Sequence, residues 1–151
     1  MNKIFFFTFF IFLNIFLFSC GSENKKEKEN SNTIKKIKES SGKSDKIAVY
    51  YFHFSRRCMT CYAVENETKN ILETLFSEDF KKSKISFLSI NLEEEKNKEL
   101  AKKFQVSSQS LIFTKGNKKV DLTNKAFMYA VDNSDKLKEK IKSTIEELKK
   151  F

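Results

Sequence analysis

Ile47-Ala48-Val49-Tyr50-Tyr51-Phe52 is an uninterrupted β-prone run that is apolar at odd and even positions alike. Successive side chains on a strand point to opposite faces, so such a run belongs at the centre of a sheet covered on both sides. The run gives way to a short polar turn, His53 to Arg57, that leads into Cys58. From there Val64, Thr68, Ile71, Leu72, Leu75 and Phe76 recur at about 3.6-residue spacing and predict an amphipathic helix from about Cys58 to Phe80. Ile85 to Leu92 predicts a second strand, and Glu94 to Phe104 a short charged helix with Leu100, Ala101 and Phe104 on its apolar face. A parallel strand pair joined by a helix is implied. Ser110 to Thr114, the turn Lys115-Gly116-Asn117-Lys118, and Lys119 to Leu122 read as a hairpin, with Gly116 and Asn117 able to take positive φ. Ser134 opens the last helix, whose stripe is Leu137, Ile141, Ile145 and Leu148, with Asn133 or Ser134 as its N-cap. The expected order is βαβαββα, an α/β fold with a central mixed four-stranded sheet flanked by helices.

The region before this pattern is different in kind. Lys3 and the apolar stretch Ile4 to Phe18 have the form of a signal-peptide n-region and h-region, too short for a comfortable membrane span. Leu17-Phe18-Ser19-Cys20-Gly21 resembles a bacterial lipobox, in which the Cys becomes the acylated first residue of the mature protein. Lipid on Cys20, palmitate included, would replace the removed helix as the membrane anchor, each buried CH₂ contributing about 0.8 kcal/mol. Gly rather than Asp after Cys20 favours an outer-membrane address. Gly21 to Asp45 holds no aromatic residue and only Ile34 and Ile37 as large aliphatics, too little to offset its ordering entropy. As a flexible tether it would span roughly 25 to 30 Å. The expected organisation is a signal peptide over 1–19, a lipidated Cys and linker over 20–45, and one domain over 46–151.

With no Pro, three Gly and three Cys in 151 residues, collagen-like, Pro-rich and disulfide-framework classes are excluded. The formal charge of +9 comes from Lys scattered among Glu, with Arg only at Arg56 and Arg57, so no nucleic-acid partner is expected.

The chemistry concentrates at Cys58-Met59-Thr60-Cys61. Two Cys three residues apart on the first helical turn bring their sulfurs to one side, where the helix N-terminus favours a thiolate. Arg56 and Arg57 add positive charge, so Cys58 is expected to be the attacking thiol and Cys61 the resolving one. His53 reads as a strand-end residue with a satisfied ring, and Glu65 as solvated, with acceptance of a proton from the resolving thiol as its other role. A permanent disulfide is the structural alternative, although a four-residue loop removes little chain entropy. A soft-metal site built on Cys58, Cys61 and His53 is the other, with one CxxC and one His only half of a zinc site. The expectation is that no metal and no cofactor is required.

The element order with a Cys pair opening the first helix is the thioredoxin arrangement, and residues 46–151 resemble thioredoxin-fold proteins. The stretch Val49-Tyr50-Tyr51-Phe52-His53, then Arg57-Cys58-Met59-Thr60-Cys61, then Glu65, resembles a smaller family carrying a YYFH…RCxTC signature, the thioredoxin-like subunit of a nitrophenyl-compound nitroreductase. That resemblance implies a redox role with Cys58 and Cys61 as the active pair. Arg57 stands where thioredoxins usually carry Trp, and Met-Thr replaces Gly-Pro between the cysteines. The cis-Pro of that fold maps near Gln109 and Ser110; a non-Pro cis bond costs about 2.5 to 4 kcal/mol, so a trans bond is expected there. The resulting expectation is a lipid-anchored, monomeric thiol:disulfide oxidoreductase or electron relay of the bacterial envelope. Its partners would be the membrane, through Cys20, and envelope protein thiols or disulfides, a membrane electron-donor protein among them. Cys58, Cys61 and Arg57 would form its site, with Arg56, His53, Glu65 and Ser110 in support. The non-enzymatic alternative is a lipoprotein that binds a soft metal, a metalloid or a partner, with the cysteines as ligands or an inert disulfide.

Overall fold

The computed structural model describes residues 45–151. The expected signal peptide, the lipidation residue Cys20 and the tether up to residue 44 lie outside the described residues.

β1 (Ile47–His53) is the strand on which the sheet is built. β2 (Ile85–Asn91) pairs with it in parallel, from Ile47 opposite Ile85 to His53 opposite Asn91. On its other side β3 (Ser110–Lys115) runs antiparallel, from Phe52 opposite Ser110 to Ile47 opposite Lys115. β4 (Lys118–Asp121) completes the order β2-β1-β3-β4 as the edge, a short strand whose Lys118, Lys119 and Asp121 are exposed. Polar residues on so short an edge discourage pairing with other chains. The two-residue turn between β3 and β4 places Gly116 at φ +53°, while Asn117 does not take a positive φ. One left-handed residue is enough here, and Gly supplies it without steric cost.

The helices are α1 (Met59–Leu75), α2 (Ser77–Lys81), α3 (Lys98–Phe104), α4 (Thr123–Tyr129) and α5 (Ser134–Lys149), with a single 3₁₀ turn at Glu95–Asn97 leading into α3. Val49, Tyr51, Leu111 and Phe113 share one buried cluster with Val64, Ile71 and Leu72 of α1 and with Leu137, Ile141, Ile145 and Leu148 of α5. On the opposite face the Tyr50 ring meets Phe104 of α3 at 4.7 Å between centroids, and Phe52 lies 5.8 Å from the same ring. Both faces of β1 are thus covered, as its unbroken apolar run demands. Asn133 caps α5, its side chain accepting from Lys136 N at 3.1 Å. This mixed sheet flanked by helices, with the parallel β1–β2 pair joined through helices, is the thioredoxin-like α/β fold.

Three expectations need correction. The helix foreseen from Cys58 to Phe80 breaks at Phe76, whose φ of −124° and ψ of 31° leave the helical region. Phe76 and Phe80 continue the apolar spacing, which hides the break in the sequence. A straight helix would carry the chain about 7 Å further along its axis. Instead the break and the left-handed Ser83 (φ 55°) turn the chain back to the start of β2, with Lys84 N donating to Asp79 O at 2.8 Å. The charged helix foreseen over Glu94 to Phe104 is a 3₁₀ turn followed by α3. α4 was not foreseen at all: the expected order passes straight from the hairpin to the last helix. Leu122, Ala126 and Ala130 are its buried row, which packs against α1, α5 and β3. Among the described residues, no helix is long and apolar enough to cross a membrane.

Tyr50 and Tyr51 are both buried, and burial pushes their hydroxyls from 10.0 up to about 12. The folded state therefore keeps these protons over a pH range in which the unfolded chain releases them. Stability is full below pH 10 and falls as pH rises toward about 12, by on the order of 2 kcal/mol for each tyrosine. Alkaline denaturation followed by far-UV circular dichroism should show this loss, and Tyr50→Phe should flatten it by about half. An unchanged alkaline slope in Tyr50→Phe would count against burial as the cause.

Candidate functional site

β1 ends at His53, and the polar loop Phe54–Arg57 carries the chain to α1. The loop is tied to the end of β2. Ser55 N donates to Glu93 Oε2 at 2.7 Å, Asn91 Nδ2 donates to Ser55 Oγ at 2.9 Å, and Leu92 N donates to His53 O at 2.8 Å. Hydrogen bonds from the Ser55 side chain and backbone hold the Glu93 carboxyl below its usual range. These ties set where α1 begins, and so where the sulfurs stand.

Cys58 is the N-cap of α1, extended at φ −84° and ψ 170°. Its Sγ accepts from Cys61 N at 3.3 Å, and Cys61 Sγ accepts from Cys58 N at 3.3 Å, a reciprocal capping box written in sulfur. The two residues are joined as a disulfide with their Cα atoms 5.2 Å apart. Cys58 is exposed, whereas Cys61 is 1% exposed. No acidic residue sits in the first turn of α1, so nothing there opposes negative charge on Cys58. Unpaired N–H groups and the positive end of the helix dipole favour the thiolate at that position.

Cys61 is held from below and from the side. The Tyr51 hydroxyl, reaching up from β1, donates to Cys61 O at 2.8 Å in the buried layer. Cys61 Sγ lies 3.3 Å from Gln109 Oε1, on the loop entering β3. No peptide bond among the described residues is cis, so the Gln109–Ser110 bond is trans. Ser110 is buried and donates through Oγ to Ser108 O at 3.1 Å; it supports the loop and not the sulfurs.

Arg57 behaves differently from the sequence expectation. Its Nη1 pairs with Glu65 Oε2, and its guanidinium lies 4.9 Å from the centre of the Tyr62 ring. Both partners of the ion pair are largely shielded, with side chains 18% and 17% exposed. Glu65 is therefore not the solvated carboxylate foreseen, and the charge of Arg57 is largely neutralised beside Cys58. The helix N-terminus is a second source of thiolate stabilisation there. Arg56 is exposed and makes no ion pair with a described residue. His53 is buried; its Nδ1 donates to Phe54 O at 2.9 Å and its ring lies 5.8 Å from that of Tyr51. It does not complete a metal site, since among the described residues no three His, Cys, Asp or Glu side chains converge.

Met59, 84% exposed, and Tyr62, 48% exposed, put apolar surface beside Cys58. On the side of α3, a groove of about 500 Å³ opens beside the same loop, with Phe54, Leu92, Ala101 and Val106 among the residues that line it. Sequence reasoning missed two contacts of the Cys pair, the Tyr51 hydroxyl and the Gln109 amide. Tyr51 read as a strand residue and as part of the YYFH match, and Gln109 only as the backbone position where the cis-Pro maps.

No protein-family model and no curated protein matches the chain. Among solved structures, the germline-specific thioredoxin protein Deadhead from Drosophila melanogaster is 22% identical at TM-score 0.48, covering 76% of this chain and 93% of its own. A structure described as that of a malarial protein is 23% identical at TM-score 0.42, covering 62% and 96%. Fasciola hepatica thioredoxin is 19% identical at TM-score 0.39, covering 75% and 92%.

If Glu65 masks Arg57, then Glu65→Gln should speed alkylation of reduced Cys58 at pH 7 by about threefold, and Arg57→Ala should slow it comparably. Mass-spectrometric alkylation rates at low and high salt measure both. Equal rates in the two variants would show that the pair is electrostatically silent at Cys58.

Proposed function

We propose that this protein is a membrane-anchored thiol:disulfide oxidoreductase or electron relay of the bacterial envelope, acting through Cys58 and Cys61. The carrying observation is the asymmetry of the pair: an exposed sulfur at a helix N-terminus bonded to a buried one a turn deeper. That arrangement suits a cycle in which the outer sulfur meets the partner and the inner sulfur releases it. In the reduced protein the Cys58 thiolate attacks a partner disulfide, a mixed disulfide forms and one partner thiolate leaves and takes up a proton. Cys61 then gives up its proton and attacks Cys58 Sγ, restoring the internal disulfide and freeing the second partner thiol. Two electrons pass from the Cys pair to the partner disulfide, and the reverse sequence oxidises a partner dithiol.

The residues that match the YYFH…RCxTC signature support the redox reading. A trans bond before Ser110 suits a small thiol or a dedicated protein partner better than general docking of extended peptides. Anchoring through lipid on Cys20 rests on the lipobox-like Leu17 to Gly21. The tether then gives the domain reach over partners at the same membrane, envelope protein thiols and membrane electron donors among them.

The purified chain carrying Cys20→Ser, titrated with glutathione and trapped by alkylation, should show a reversible couple between about −120 and −270 mV. A bond below about −300 mV would leave an inert structural disulfide and end the oxidoreductase reading. Anchoring is checked separately: cells expressing the full chain should incorporate labelled palmitate into the protein, and Cys20→Ala should abolish incorporation. Labelling that survives in Cys20→Ala would place the lipid elsewhere.

A further inference from the structure

Gln109 is placed by backbone pairing and not by chance contact. Its neighbour Ser110 lies opposite Phe52 in the β1–β3 register, so the loop entering β3 runs beside the end of β1 from which the Cys pair emerges. Ser110 Oγ, bonded to Ser108 O, braces that loop from within. The Gln109 side chain then brings Oε1 to 3.3 Å from Cys61 Sγ. Cys61 is 1% exposed and Gln109 half-buried, so the contact is shielded on the sulfur's side.

The two redox states treat the contact differently. A disulfide sulfur has no proton to donate, so Oε1 gains nothing from it. The Cys61 thiol does have one, and it would donate to Gln109 Oε1. A contact formed in only one of two states shifts the equilibrium between them by its own free energy. A hydrogen bond to the neutral thiol also keeps the proton on Cys61. Cys58, at the exposed helix N-terminus, is left to ionise.

We infer that Gln109 is the positioning residue for the resolving thiol, accepting a hydrogen bond from Cys61 in the dithiol state and thereby assigning attack to Cys58. The inference rests on the oxidoreductase reading above and names the side chain that divides the labour between its two sulfurs. The balanced reaction is Cys58–S–S–Cys61 plus two glutathione thiols giving two protein thiols and one glutathione disulfide; the proton that ends on Cys61 Sγ is the one shared in the hydrogen bond to Gln109 Oε1.

The test compares Gln109→Leu, which removes the acceptor at similar size, Gln109→Asn, which withdraws it by one CH₂, and Gln109→Glu, which keeps it. Folding of each is checked by circular dichroism, and Asn and Glu carry the comparison if Leu does not fold. Leu and Asn should shift the dithiol/disulfide equilibrium with glutathione about fivefold toward disulfide. At 29.6 mV per tenfold this is a potential about 20 mV lower. The ratio of Cys58 to Cys61 alkylation at pH 7 should fall by a similar factor, whereas Glu, a stronger acceptor, should shift neither property in that direction. Unchanged potential and selectivity in Leu and Asn, or equal shifts in all three variants, would overturn the inference while a reversible wild-type couple leaves the oxidoreductase reading standing. Absence of a reversible couple in the wild type would overturn both.

Discussion

The burial of β1 on both faces is the constraint from which the rest of the molecule follows. Odd-numbered Val49 and Tyr51 need α1 and α5; even-numbered Tyr50 and Phe52 need α3. Meeting both demands fixes β1 between a parallel and an antiparallel neighbour, with helices above and below. At the C-terminal end of that strand the chain leaves the sheet and opens a helix directly over a buried layer. The Cys pair occupies that exit, so its chemistry depends on core packing well below it. Tyr51 is the physical link, contributing its ring to the core and its hydroxyl to the backbone of Cys61.

Backbone groups contribute to the electrostatics of the site beside its charged side chains. Arginines beside the first cysteine look like the obvious source of thiolate stabilisation, yet Arg57 is held by Glu65 and Tyr62. What stands against Cys58 Sγ is the N–H of Cys61 and the unopposed dipole of a 17-residue helix. Such preorganised donors are less sensitive to salt than mobile charged side chains at the surface.

Much of this was readable in the residues, and the unread parts share a cause. β1, β2, the hairpin and the Leu137-Ile141-Ile145-Leu148 stripe announce themselves because burial there follows one periodicity over several residues. α4 does not, because its buried row is Leu122, Ala126 and Ala130, two of them too small to register as hydrophobic signal over seven residues. The break at Phe76 is masked by apolar spacing that continues across it. At the site, local spacing exposed the Cys pair, but Arg57–Glu65 and Cys61–Gln109 are pairings across helix and loop that no local pattern encodes. The second joins residues separated by 48 positions and exists only because the sheet is assembled.

The sulfur capping box has a consequence for motion. The backbone N–H of Cys61 needs only a lone pair on Cys58 Sγ, and that atom keeps lone pairs as a thiolate, in the internal disulfide and when bonded to a partner. The first turn of α1 can thus stay wound while the covalent bond changes hands. The proposed exchange then needs rotation about side-chain bonds, on the nanosecond scale of rotamer hops, and no helix unwinding. The helix is the fixed bearing, and the outer sulfur is the part that turns.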